Sequence, residues 1–210
     1  MLVVLITFIA AFFMVFVNKD FYDKSFAKYG TYQELGVEGP RGIVDYLINY
    51  LTSENTKTNE TAKLDLFTDN ERAHLKDVQG RIVFLKYFGI ISVIFLLVAM
   101  LRLSGFQDSD KIIRRVFIYA TVAVFSLCLI IFLLSLNFPS FFDAFHRILF
   151  PAGNYTFPGD SLLITLFPEG FFLDFARKLL VETLIISLMF LVLGAAPALA
   201  FRKPRRDNKS

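Results

Sequence analysis

The sequence predicts an all-α membrane protein, a single integral membrane domain over residues 1–210. Four transmembrane helices are expected, with two extracytoplasmic segments that carry short amphipathic or interfacial helices. Three observations lead there. Hydrophobic residues make up 55% of the chain and mean hydropathy is +0.56, too apolar for an ordinary soluble domain. The apolar residues are gathered into blocks long enough to cross a bilayer. The basic residues collect in one short link and in the tail, the distribution that cytoplasmic loops show.

The spans are expected at roughly 1–17, 84–103, 116–138 and 179–201. The first starts at Met1 without a charged leader, and no small-residue cleavage pattern precedes Asn18, so it reads as an uncleaved anchor. The fourth carries Pro197 near its end, where membrane helices tolerate it. Arg102, Lys111, Arg114 and Arg115 follow the second span, and Arg202, Lys203, Arg205, Arg206 and Lys209 follow the fourth. Both stretches are therefore read as cytoplasmic, which puts both termini inside. Lys19, just after the first span, pulls the other way, but long segments translocate largely regardless of charge. Residues 18–83 and 139–178 are then extracytoplasmic, and each holds one of the two histidines, His74 and His146.

Composition removes several function classes. The single Cys128 lies mid-span, so neither a disulfide framework nor a cysteine metal centre is available, and it reads as a small buried hydrophobe. The net charge of +3 comes without a basic patch interleaved with aromatics, which argues against nucleic acid as a partner. With 26 Phe, 8 Tyr and no Trp, interfacial anchoring falls to Phe and Tyr.

The first outer segment opens with "NKDFYDKSFAKYGTYQELGVEGPRG", whose mixture of Tyr, Gly and charge is expected to be irregular. Val44, Leu47, Ile48 and Leu51 then recur at helical spacing. "TSENTKTNETAK" is a polar loop. Asn59-Glu60-Thr61 and Asn154-Tyr155-Thr156 match a glycosylation pattern that carries little weight by itself. Thr68-Asp69-Asn70-Glu71 is a capping box and starts a helix at Thr68. On that helix Leu75, Val78 and Ile82 form the apolar stripe, Glu71 projects onto it and His74 onto its edge. The capping box alone accounts for Glu71, so helix geometry favours a structural reading of it. In the second outer segment Phe138, Phe141, Phe142, Phe145, Ile148 and Leu149 form one face, with Ser140, Asp143 and Arg147 opposite. That pattern is an interfacial helix lying on the bilayer surface, with His146 at its border. Each histidine has an acid three residues earlier, Glu71 and Asp143, a repetition that points to a shared site.

The chemistry open to such a site is limited. Glu-x-x-His and Asp-x-x-His resemble the ligand pairs of di-iron bundles, but those sites need carboxylates from two further helices. Spans one and three have none and span four only Glu182, so a metal is not expected. Hydrolysis through a nucleophile lacks its G-x-S-x-G marker, and Ser140 and Ser161 have no such context. A transporter would place polar or broken helix at the midplane, where these spans are nearly free of charge. General acid–base work by histidine on a lipid-like substrate at the outer interface is left. A non-catalytic membrane scaffold or sensor, and a metal-dependent membrane lipid hydrolase, stay open beside it.

"LFTDNERAHLKDV" and "FDAFHRILFPAGNYTFPGDSLLITLFPEGFF" resemble the lipoprotein intramolecular transacylase family of monoderm bacteria, specifically over 66–81 and 138–172. The resemblance extends to span count and spacing along the whole chain. His74 and His146 stand at the positions of the family's two essential histidines, and Phe167, Pro168, Glu169, Phe171 and Phe172 match the stretch that follows them. One departure is Tyr155, where the family is expected to have tryptophan.

The resemblance implies a bacterial cell-membrane acyltransferase acting on diacylglyceryl-modified lipoproteins among membrane lipids. It would move the sn-2 acyl chain to the α-amine of the N-terminal cysteine, giving the N-acyl, S-monoacylglyceryl (lyso) form without cofactor or acyl donor. His74 and His146 are then the expected acid–base pair, His74 provisionally the base with Glu71 orienting it. Asp143, Arg147 and Tyr155 would support the site, and Phe141, Phe142, Phe145 and Phe150 would contact acyl chains and exclude water.

Overall fold

Thirteen residues after the first expected span, at Gly30, the backbone turns left-handed with φ 83°, and the stretch expected to be irregular has already formed a helix. This computed structural model describes residues 1–53, 61–106, 108–151 and 153–200, with no side chains for 61–62 and 193–200. Among the described residues every regular element is helical and none is a strand. Helix α1 (Leu2–Phe16) leads into α2 (Lys19–Tyr29), α3 (Thr31–Leu35) and α4 (Glu38–Thr52). Then come α5 (Thr61–Leu64), α6 (Asp69–Leu103) and α7 (Ser109–Leu134), which a 3₁₀ turn, Ser135–Asn137, joins to α8 (Phe138–Leu149). The short α9 (Leu162–Leu166) and the long α10 (Glu169–Ala200) complete the chain.

The helical 18–35 stretch corrects the expectation drawn from its composition. Asn18 caps α2 by accepting from Phe21 N–H at 3.0 Å, which meets one of the donors a helix start leaves free. Phe21, Tyr22, Ser25 and Phe26 supply its buried face, and Gly30 and Gly36, both at positive φ, close α2 and α3. A charged outer face masks this helix from any reading by hydropathy.

Among the described residues two stretches are long and apolar enough to cross a membrane: α6, and Ser109–Leu149. The α1–α2 pair, bent by 61°, makes a third if taken as one span. Outward residues such as Ile91, Phe95, Leu101 and Leu133 are exposed, a surface suited to lipid rather than water. The expected span at 179–201 falls on α10, but side chains from 193 on, the basic tail, and Asn59 with Glu60 lie outside the described residues. Within the bundle α7 packs on α10, where Thr121 donates to the Ser187 carbonyl at 3.3 Å. Helix α1 lies so close to α6 that a Cβ on Gly89 would meet Ile9 Cγ2 at 2.9 Å.

At one end of the spans, the two segments expected outside the membrane share one core. Val15 and Phe16 of α1 pack with Phe26, Leu47 and Leu75 of the first segment and Leu166 and Phe171 of the second. Polar links cross the same seam. Thr31 donates to the Thr165 carbonyl at 3.0 Å, and Tyr29 Oη lies 2.8 Å from both Gly170 O and Asp174 Oδ2. Gly170 is required there, because a Cβ would stand 2.4 Å from the Tyr29 ring.

Candidate active site

The capping box at Thr68 sets the register of α6. Thr68 accepts from Glu71 N–H, and Glu71 Oε2 accepts from Thr68 N–H at 2.8 Å. The other carboxylate oxygen, Oε1, accepts from the main-chain N–H of Leu163 at 2.8 Å, at the start of α9. Glu71 is 1% exposed. It thus joins two helix starts from two distant segments, and charge-assisted bonds of this kind are the strong ones. The expected orienting of His74 is corrected: both oxygens are engaged elsewhere.

One turn further along, His74 is buried against Phe150 and Phe157, with ring centroids 4.6 and 5.5 Å away. Its Nδ1 is buried without a protein hydrogen-bond partner. Burial, reinforced by His146 nearby, lowers its pKa to about 4, so the ring is neutral at pH 7.

On α8 the inward row is Phe138, Phe142 and His146, while Phe145 and Ile148 point outward and are exposed. His146 therefore sits within the buried row rather than at the border that helix projection assigned to it. Its Nδ1–H donates to the Phe142 carbonyl at 2.8 Å; a carbonyl only accepts, so this bond fixes the tautomer and leaves Nε2 as the acceptor. Burial pushes its pKa down as well, partly offset by that bond and by Asp143.

The two imidazoles come from residues 72 positions apart in sequence, yet their centroids are 6.4 Å apart. Neither bonds to the other. Phe142, Phe145, Phe150 and Phe172 surround His146, with Tyr155 5.2 Å away, and Phe141 stands one position outside beside Phe138. Asp143 does not bond to His146: it pairs with Arg147 at 2.6 Å and receives the Tyr155 hydroxyl at 3.5 Å. That cluster forms the polar rim.

Sequence reasoning missed three residues. Asp77 and Arg81 follow His74 at i+3 and i+7, so helical spacing from the histidine was the signal for both. The Arg81 guanidinium stacks 4.4 Å from the Phe150 ring centroid. Asn154 donates from Nδ2 to Asp77 Oδ2 at 2.7 Å, a long-range link that no local spacing announces. Among the described residues no cluster of three or more histidine, cysteine, aspartate or glutamate side chains is arranged to hold a metal ion.

A family model described as lipoprotein intramolecular transacylase Lit matches residues 1–172. Curated protein sequences give no match. Among solved structures, the membrane integral lipoprotein intramolecular transacylase Lit from Bacillus cereus is similar, with a TM-score of 0.80 and 18% identity over 96% of this chain and 93% of that one. Two variants of that protein, with a histidine changed to alanine or to arginine, each match with a TM-score of 0.73 and 17% identity. They cover 96% of this chain and 90% and 89% of theirs. At such identities the likeness is one of fold.

Proposed function

The chain belongs to the lipoprotein intramolecular transacylase family, and from that premise we propose that it converts diacylglyceryl lipoproteins to the lyso form by histidine acid–base catalysis. The family name implies an acyltransferase, and the apolar helices place the chain in a membrane as a multi-pass protein. The site is taken to face outward on a bacterial cell membrane, with both termini cytoplasmic. One observation carries the reading: two neutral imidazoles from distant segments lie 6.4 Å apart inside an aromatic enclosure.

An α-ammonium group, with a reference pKa of about 7.7–8.0, must lose a proton before its nitrogen can attack. His74 takes that proton. The nitrogen adds to the sn-2 ester carbonyl, and Nε2 of His146 accepts a second proton from the same nitrogen. The carbonyl–glycerol C–O bond then breaks, and His146 returns its proton to the glycerol oxygen. The products are an amide and a free hydroxyl, with one proton released to solvent through His74. Because donor and acceptor are tethered, the enzyme chiefly orients them, an effect worth roughly 7–11 kcal/mol when near ideal. Phe142, Phe150 and Phe172 keep out the water that would hydrolyse the ester instead.

Mass spectrometry of one lipopeptide, before and after expression in a host lacking the activity, tests this directly. The mass should stay constant while one acyl chain moves from oxygen to nitrogen, and free fatty acid should not accumulate. His74→Ala and His146→Ala should each abolish the conversion while the protein stays in the membrane. Full activity in a double His→Gln variant would instead favour a scaffold or sensor. Fatty-acid release sensitive to chelators would favour a metal-dependent hydrolase.

A further inference from the structure

Two buried polar atoms at the site have no hydrogen-bond partner among the described residues, His74 Nδ1 and Asn154 Oδ1. Buried polar atoms left unpaired are costly, so a pair of them at one site points to a polar occupant. The orientation of the Asn154 amide follows from chemistry. Its Nδ2 faces the Asp77 carboxylate at 2.7 Å, and turning the amide over would set oxygen against oxygen. Its carbonyl oxygen is therefore held away from Asp77 as an acceptor. Asp77 gives one oxygen, Oδ2, to Asn154, and the other carries no hydrogen bond among the described residues. Residue 77 lies one turn beyond His74 on the same side of α6, and its charge acts on the His74 ring. An unpaired carbonyl oxygen and a half-engaged carboxylate are thus joined to each other, and the carboxylate lies one helical turn from the neutral His74 ring and acts on it. The amide oxygen and the carboxylate accept hydrogen bonds only, and the neutral imidazole has one ring nitrogen free to take a proton. Arg81 also acts on the His74 ring but stands over the Phe150 face, and an alkylammonium ion offers the Asp77–Asn154 pair three N–H donors and a positive charge.

We propose that Asp77 and Asn154 form the subsite that receives the substrate's α-ammonium group and holds it against His74. This rests on the transacylase reading for the identity of the amine. It assigns the two ends of the site: the amine enters on the Asp77–Asn154 side, and the ester's leaving oxygen lies toward His146. The carboxylate draws in the cation, and His74 then takes one proton from it. The N–H bond breaks, the proton passes to the ring nitrogen, and the electron pair stays on the amine for attack.

The test uses a diacylglyceryl lipopeptide whose two chains are ether-linked, so that nothing transfers, in its free-amine and N-acetylated forms. Binding of each to the purified full-length protein in nanodiscs is measured by competition. The native protein should prefer the free amine about tenfold at pH 6.5, the size of one good charge-assisted contact. Asp77→Asn and Asn154→Ala should each bring that preference close to one while affinity for the N-acetylated form stays unchanged. Equal affinity of the native protein for both forms, or full preference in Asp77→Asn, would overturn the proposal.

Should either variant fail to accumulate, the native protein alone decides, since its preference should vanish between pH 6.5 and 9 as the amine becomes neutral. The other charged or titratable groups facing the site are Arg81 on α6, Asp143 and Arg147 on α8, and Tyr155. Burial holds His74 neutral across that pH range, with a pKa of about 4, and pushes the His146 pKa down in the same direction. An unchanged preference at pH 9 overturns the subsite. Conversion of the ester-linked lipopeptide is scored separately: preference without conversion removes the transacylase reading and leaves an ammonium site.

Discussion

Glu71 and His74 are one helical turn apart, buried to nearly the same degree, and do opposite things. The carboxylate is fully engaged by Thr68 and Leu163, whereas the imidazole has no hydrogen bond to fix it. Glu71→Gln should accordingly behave as a stability variant. Replacing a buried charge-assisted acceptor with an amide should cost roughly 1.5–3 kcal/mol, read as a lower Tm in detergent, with a smaller change in kcat measured well below that Tm. His74 makes the complementary prediction. Its pKa is about 4 in the folded protein and near the ordinary 6.5 when unfolded, so the unfolded chain binds protons first as pH falls. The stability tied to its neutral form is complete above pH 6.5 and is lost toward pH 4. Thermal melts across that window should be flatter for His74→Phe than for the native protein. The two histidines and the capping box were legible from sequence because each depends on local spacing. Asn154 was not, since its partner is 77 positions away, and neither was the second bond of Glu71.

At the level of elements, the seam between the 18–83 and 139–178 segments depends on α2 lying against the start of α10. Tyr29 crosses Gly170 so closely that Gly170→Ala must displace the ring and break its contacts with Gly170 O and Asp174. Overpacking of this kind costs about 1–3 kcal/mol, and the variant should melt earlier than Tyr29→Phe, which removes only the hydroxyl. The long helices announced themselves by hydropathy, and α4 by the spacing of Val44, Leu47 and Leu51. Helix α2 stayed hidden for a physical reason. A helix lying on other protein at an interface buries a narrow row, here Phe21, Tyr22 and Phe26, and leaves the rest charged. Its average composition looks like a loop, and only the Asn18 cap and the Gly30 stop mark its ends.

For the molecule as a whole, the orientation rests on the basic link between α6 and α7, opposite the end that carries the histidines. The native Cys128 is buried, so single cysteines can be introduced to report sidedness. Asp160→Cys should react with a membrane-impermeant maleimide in intact cells, and Asp108→Cys only after permeabilisation; the reverse pattern would invert the topology. The sharing of Glu71 between Thr68 and Leu163 also bears on biogenesis and on descent. The glutamate leaves the ribosome long before residue 163, so its second bond can form only late, after two further apolar helices have been made. Because that late donor is a main-chain amide, any amino acid except proline can occupy position 163 and still complete the link. Correlated substitution between positions 71 and 163 should therefore be faint across relatives, however firmly the two are joined.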